Sequence, residues 1–415
     1  MPLFPALFYG WVVTACAFFV LFVTYGVQYS FGVFLPAMLD ELGWQRASLG
    51  GAFSLYTMVY SGCSWISGRL TDTAGPRWVV TAGGLLLGSG IIATSQMTAQ
   101  WQLYLCYGLI AALGMSSAYI PCNTTVVKWF QRKRGLALGL AASGSSCGIL
   151  LCPWLTASCI ARWGWRPVYF ACGLIILVLL ITLARFMVRN PEQLGLTPDG
   201  DPLAQSPAPL LGGPPAALKS WTLAEAWATP SFWLLGFSLL VMFLTIPVPF
   251  VHIVAFAQDL GISHTNGALA VSVMGVSALA GNLCLGPLSD RIGRRSGMAV
   301  SLSVHIVAYL FFYSAQGLGV LYAGAAAFGF FYGGLTTLLP ALVGDFFGRL
   351  HAGSITGFLF AWAGVLGAWG PMIAGYVRDV SGSYQPAFLY GAAAGGLALV
   401  LLLLTPRPAV SRYEM

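Results

Sequence analysis

Charge is what this sequence has least of. Asp, Glu, Lys and Arg make up 7% of its 415 residues, against roughly 25% in an ordinary soluble domain. Water therefore cannot be the main solvent, and a soluble globular fold is excluded. Each of the 12 acidic residues lies in a loop or at the end of an apolar run, as does each Lys and Arg. The nine cysteines are scattered through apolar stretches without zinc-type spacing and read as packing thiols. No glycine-rich phosphate loop is present, which leaves ATP without a site. A Gly-x-Ser-x-Gly string at Gly144–Gly148 sits inside an apolar run, with no strand before it and no acid or paired histidine to complete a triad. The Asn-Thr-Thr sequon at Asn123 also lies inside a run. The expectation is a protein that is not an enzyme and that needs no cofactor and no metal.

What the chain does have is hydrophobic length, at 58% of its residues. Runs of about 20 residues are long enough to cross roughly 30 Å of hydrocarbon as helices. Twelve are read, near 9–38, 47–69, 78–98, 102–127, 135–158, 165–187, 230–257, 266–289, 297–316, 318–343, 353–377 and 384–405. They are too long and too uniformly apolar for the alternating strands of a β-barrel. The fold class is all-α integral membrane. The first run has no basic residue before it and is too long for a cleaved signal region, so it reads as span 1.

The net charge of +7 is distributed asymmetrically. If the N-terminus is cytoplasmic, 15 of the 19 Lys and Arg fall on the cytoplasmic side, leaving Arg46, Arg162, Arg166 and Arg378 opposite. That bias places both termini in the cytoplasm, with a plasma (inner) membrane as the expected location. The Lys128–Arg134 cluster then reads as a topology signal; no nucleic-acid partner is implied.

Between Val188 and Pro230 the composition shifts to Pro, Gly, Asp and Ser. This divides the chain into an N-terminal six-helix bundle (1–187), a cytoplasmic linker (188–229) and a C-terminal six-helix bundle (230–415). Trp221, Leu223 and Trp227 are spaced as one face of a short surface helix. The halves repeat. "GRLTDTAGPR" from Gly68 and "GPLSDRIGRR" from Gly286 are offset by 286 − 68 = 218, and the same offset carries Gly135 onto Gly353, Gly139 onto Gly357, Pro153 onto Pro371 and Gly173 onto Gly391. Parallel repeats of this kind suit two bundles rocking about a central site. Small-xxx-small spacings at Gly144/Gly148, Gly329/Gly333 and Gly391/Gly395 let helices pack closely. In the repeated loops, Asp72, Arg77, Asp290, Arg294 and Arg295 read as a cytoplasmic latch, because carboxylates can pair with arginine or cap helix ends.

The Gly-x-Leu-x-Asp-x-x-Gly-x-Arg pattern in both copies resembles the signature of the major facilitator superfamily, which implies two pseudo-symmetric six-helix bundles. "GVQYSFGVFLP", "AYIPCNTTVVKWFQRKRGLALGL" and "GFFYGGLTTLLP" resemble its monocarboxylate-transporter branch and the related oxalate/formate exchangers. By that resemblance Gln28, Tyr119, Asn123 and Tyr332 face a central pocket. The relatives' arginine in helix 8 and the exchangers' lysine in helix 11 are replaced here by Asn282 and Ala363; Asn282 is itself expected to converge on the pocket with Gln28, Tyr119, Asn123, His252 and Tyr332 as a substrate-binding residue, an interhelical hydrogen bond being its other reading. A dianion such as oxalate is disfavoured without a cation to meet it.

Two histidines lie within spans. His252 follows Pro247 and Pro249, which break regular helical bonding, so it is a candidate for substrate binding and proton coupling; His305 reads as interhelical packing. Trp362, Phe358 and Phe360 lie deep in span 11, where pocket lining and packing are both open readings. The resemblance implies a monomeric transporter, secondary active or facilitative, working by alternating access. Its implied partners are the lipid bilayer, a small organic solute, first a monocarboxylate, and a proton. A neutral or zwitterionic solute, or a non-transporting sensor of the same fold, are the alternatives.

Overall fold

A computed structural model describes residues 8–44, 46–200 and 220–406. Among them, twelve long helical segments run in chain order. The first six are α1 (Tyr9–Leu42), α2 (Arg46–Thr73), α3 (Pro76–Ser95), α4 (Gln100–Trp129), α5 (Arg134–Trp163) and α6 (Trp165–Ala184). The second six are α7 (Pro230–Asp259), α8 (His264–Ile292), α9 (Arg294–Ser314), α10 (Leu318–Phe347), α11 (Ala352–Gly367, continued by Gly370–Ser381) and α12 (Gln385–Leu404). Among the described residues, eleven helices are long and apolar enough to cross a membrane by length and composition. The twelfth, α2, is diluted by Ser61, Ser64 and Ser67, all buried against the rest of the protein. Its polar residues are directed into the bundle, which is why hydropathy alone understates it.

One hydrophobic core gathers residues of α1 to α6 together with Ala341, Ala352 and Phe360 of α10 and α11, and a second those of α7 to α12. The tight turns that join α2 to α3 and α8 to α9 pass through Gly75 at φ 91° and Gly293 at φ 90°, the left-handed region that glycine enters without penalty. Of the linker region 188–229, residues 201–219 lie outside the described part, together with Arg407 and Arg412. The linker's first residues are held down: the Asp199 carboxylate accepts from the backbone N–H groups of Gln131, Arg132 and Lys133 at 3.0, 2.8 and 3.3 Å. Its last residues form the expected short helix, Leu223–Trp227, opened by a Thr222–Glu225 capping box.

The two cores meet along two seams, α2 with α11 and α5 with α8. Backbones nearly touch at Gly68 with Gly353 and at Gly135 with Gly286, where a Cβ on either glycine would collide with the facing carbonyl. The four positions are two pairs related by the 218 offset (286 − 68 and 353 − 135), so one close crossing has been built twice. Both crossings lie at the end of the bundle that carries the Lys128–Arg134 loop, called the basic end below. Salt bridges occur there too: Arg134 pairs with Asp345 of the other half, and Arg349 with Glu192 of the linker at 2.5 Å. The pairs described at the opposite end stay within a half, Glu41 with Arg166 at 2.7 Å and Asp259 with Arg378 at 3.3 Å.

Candidate functional site

Two helices break where prolines remove backbone donors. Pro247 cannot donate to the Phe243 carbonyl nor Pro371 to that of Gly367, and the α7 and α11 backbones touch at these breaks, Gly367 against Phe243 and Gly370 against Leu244. Irregular backbone at membrane depth is tolerated where it is buried in protein or lines a cavity. A cavity of about 210 Å³ lies beside the breaks, between the halves. From the N-terminal half, Tyr25, Gln28 and Tyr29 of α1, Thr57 and Tyr60 of α2 and Tyr119 of α4 line it. From the other half come Phe243, Ile246, Pro247 and Phe250 of α7, Tyr332 and Thr336 of α10 and Phe360 of α11. Among the described residues, none of its lining side chains is Asp, Glu, Lys, Arg or His.

Most of the phenols are already engaged. Tyr25 and Tyr60 share a hydrogen bond of 2.9 Å, and Tyr119 donates to the Thr336 carbonyl across the halves at 2.8 Å, while Tyr29 and Tyr332 line the cavity from opposite halves. Gln28 differs: it is 7% exposed, and its Oε1 has no hydrogen-bond partner.

Of the six side chains expected to converge, Gln28, Tyr119 and Tyr332 line this cavity and Asn123, His252 and Asn282 do not. Asn282 is fully buried one layer away, donating to Ser146 Oγ at 2.8 Å and accepting from Thr336 at 2.9 Å and Thr337 at 3.1 Å. Its amide joins α8 to α5 and α10, which consumes the groups a solute would need. Asn123 donates to the Tyr119 carbonyl of its own helix at 2.9 Å. His252 points into the C-terminal bundle: Nε2 donates to the Pro371 carbonyl at 2.9 Å, which leaves Nδ1 to face the Tyr384 hydroxyl at 3.2 Å. The α7 break turns the helix so that Phe250 and Val251 take the cavity wall and His252 the protein side. His305 is fully buried against Tyr309 and Phe331. Phe360 lines the cavity, whereas Trp362 packs against Trp233 and Phe237 and Phe358 against Trp227.

Tyr25, Tyr29 and Tyr60 were missed by motif reading, although the repeat contains a signal for α1. The 218 offset carries Tyr25, Gln28 and Tyr29 onto Phe243, Ile246 and Pro247, and all six line the cavity. Broken α7 thus reports, by symmetry, the face of α1 that looks at the centre.

The repeated loops build two carboxylate clamps at the basic end. Asp72 sits on the N-terminus of α11: Oδ2 accepts from the Ser354 N–H at 2.6 Å and its hydroxyl at 2.9 Å, while Oδ1 accepts from the Gly353 N–H at 3.3 Å and from Lys128 Nζ at 2.8 Å. Asp290 sits on the N-terminus of α5, accepting from the N–H groups of Gly135 at 2.9 Å and Leu136 at 3.1 Å, and pairs with Arg294. Unsatisfied N–H groups and the positive end of the helix dipole favour a carboxylate at both places. Each acid therefore caps a helix of the opposite half. Of the expected latch residues, Asp72, Asp290 and Arg294 take part. Arg77 is exposed, and Arg295 donates to the Leu403 carbonyl at the end of α12, so neither belongs to the clamp. Lys128, read from sequence as a topology signal, is also a buried member of it.

Comparison with known proteins agrees with this geometry. The chain is 30% identical over 410 residues to monocarboxylate transporter 13 of Rattus norvegicus, covering 95% of this chain and 89% of that protein. In three dimensions it is similar to the human organic anion transporter MFSD10, with a TM-score of 0.72 at 15% identity over 95% of this chain and 99% of the other. It also resembles the Escherichia coli fucose:proton symporter FucP in an outward conformation, with a TM-score of 0.72 at 14% identity over 96% of this chain and 99% of the other. The family profile for the Major Facilitator Superfamily matches residues 17–253 and 233–414. With the repeat, the broken helices and the reciprocal caps, these matches make the chain a member of the Major Facilitator Superfamily, in its monocarboxylate-transporter-like branch.

Proposed function

We propose that this protein is a secondary transporter that carries a small organic solute in uncharged form between the two sides of a membrane. The observation that carries this reading is the cavity between the halves, which among the described residues is lined by hydroxyl, amide and aromatic groups and by no ionised side chain. Transfer of a bare carboxylate into such surroundings is unfavourable, because nothing there replaces its hydration. A monocarboxylic acid taken with its proton satisfies the constraint and accords with the names of the relatives. A permanently neutral solute satisfies it equally and is the second reading. The proton, where there is one, travels on the cargo, since His252 is bonded within the C-terminal bundle.

The excess of Lys and Arg at the basic end supports a cytoplasmic position for that end in a plasma (inner) membrane, with the cavity then offered to the outside while both clamps are closed. Breaking the clamps and closing the opposite end would present the cargo inward. The test is counterflow in proteoliposomes with a panel of labelled monocarboxylic acids, dicarboxylic acids and neutral polyols. Saturable exchange of acids or polyols, insensitive to membrane potential and retained in His252→Gln with its pH profile intact, is the expected result. Exchange restricted to dicarboxylates, or no exchange of any solute, overturns it.

A further inference from the structure

We infer that Gln28 reads the undissociated carboxyl group of the cargo through a paired contact, accepting the acid O–H at Oε1 while its own Nε2–H donates to the acid carbonyl. This rests on the uncharged-cargo reading above. Buried polar atoms are nearly always hydrogen-bonded, so the orphaned Oε1 of a side chain 7% exposed marks a place where a donor is missing. Among the described residues no lining side chain bonds it: the hydroxyls of Tyr25 and Tyr60 share one hydrogen bond with each other, and that of Tyr119 is committed to the Thr336 carbonyl.

A primary amide presents one acceptor and two donors in a single plane. An undissociated acid presents one donor and one acceptor at matching separation, and the two close a planar ring of two parallel hydrogen bonds. A carboxylate brings acceptors only, so it would set a negative oxygen against Oε1 with no cation in the lining to compensate. An ester has no donor and leaves Oε1 orphaned. A primary carboxamide is complementary to Gln28 and has no proton to lose. The site should therefore bind acids and amides and reject esters and anions, a selectivity that polar pockets achieve because a mismatched partner leaves buried groups unpaired.

The test is equilibrium binding to the full chain in nanodiscs with radiolabelled benzoic, pyruvic and lactic acids, the corresponding amides, and methyl benzoate, from pH 5 to 7.5. Acid binding should weaken by about tenfold per pH unit above the acid's own pKa, because only the undissociated fraction competes. Amide binding should be flat with pH, and methyl benzoate should bind at least about tenfold more weakly than benzamide. Gln28→Leu, of similar bulk, should lose acid and amide binding by at least about tenfold, while Gln28→Asn, which keeps the amide group one methylene further back, should retain part of it. Gln28→Leu binding equal to the parent, flat acid binding across the pH range, or no acid binding to the parent overturns the inference. Polyol counterflow that persists in Gln28→Leu under those outcomes would leave the transporter reading standing, whereas loss of all counterflow by the parent would remove both.

Discussion

The two clamps at the basic end share a backbone and differ in how they are charged. Asp72 and Asp290 hold equivalent positions in the repeat, and each caps the helix that crosses its own beside paired glycines. Around Asp72 the environment is dry, since it and Lys128 are only 3% and 2% exposed at their side chains. Asp290 is 16% exposed and belongs to a wetter network in which Arg294 also approaches Asp345, itself 42% exposed and paired with Arg134. The repeat position of Lys128 is 128 + 218 = 346, a phenylalanine. Helix N–H donors come with the backbone and were duplicated with it; the cation depends on one side chain and was solved differently in each half. The Asp72 clamp should accordingly be the one less tolerant of change.

The largest effect is expected from the part the clamps share. Gly68→Val and Gly286→Val each drive a side chain into the facing backbone carbonyl, so the seams cannot close and uptake should fall by at least about tenfold in both. Equal losses would show the crossings to be equivalent; a loss in one alone would make the repeat a relic in the other. Next comes Lys128→Met, which leaves the Asp72 carboxylate buried without its cation, a change that costs about 3–5 kcal/mol in dry surroundings. Both acids keep their helix N–H donors, so exposure makes the difference: Arg294→Met should cost less, roughly 1–2 kcal/mol, since Asp290 is 16% exposed and reached by water. Thermal unfolding in nanodiscs would compare them, and identical shifts would contradict the dry/wet distinction. Asp72→Asn retains acceptor capacity but weakens the cap, and should alter transport rate more than solute affinity. An unchanged rate would count against a clamp that opens during the cycle.

Smaller still is Arg134→Gln. It removes a bridge whose acid is 42% exposed, so about 1 kcal/mol or less is expected, and less at high salt, read as a modest shift in unfolding temperature. The smallest effect belongs to the far end, where the pair lies within one half. The hydrogen bond from Arg166 holds the Glu41 carboxyl below its ordinary 4.5. A depressed folded value means that the contribution is present above the unfolded pKa and is lost as pH falls through the folded one. Glu41→Gln should thus lower the unfolding temperature slightly at pH 6 and make no difference well below pH 4, the contribution being a few tenths of a kcal/mol for so exposed a pair.

Of those differences, the chain as written shows the exchange of Lys128 for Phe346 but not the burial that gives it its weight. The twelve helices, the repeat and its offset, the latch acids and the broken α7 were legible because each rests on local or periodic features: uninterrupted apolar length, a fixed spacing, a proline without a donor. The scarcity of intramembrane charge was equally a property of the sequence. What folding alone decided was direction. His252, Asn282 and Asn123 have side chains as polar as Gln28, and only packing shows that the first two are satisfied by neighbouring backbone or hydroxyl groups, that Asn123 keeps an open Oδ1 away from the cavity, and that the open Oε1 of Gln28 belongs to the cavity wall. Likewise Lys128 becomes a buried counter-charge, and Arg77 a solvated one, by where α4 and the loop come to rest. A polar residue's type fixes which bonds it can make. Which of them the protein has already supplied depends on neighbours more than a hundred residues away, and that is settled only when the helices are packed.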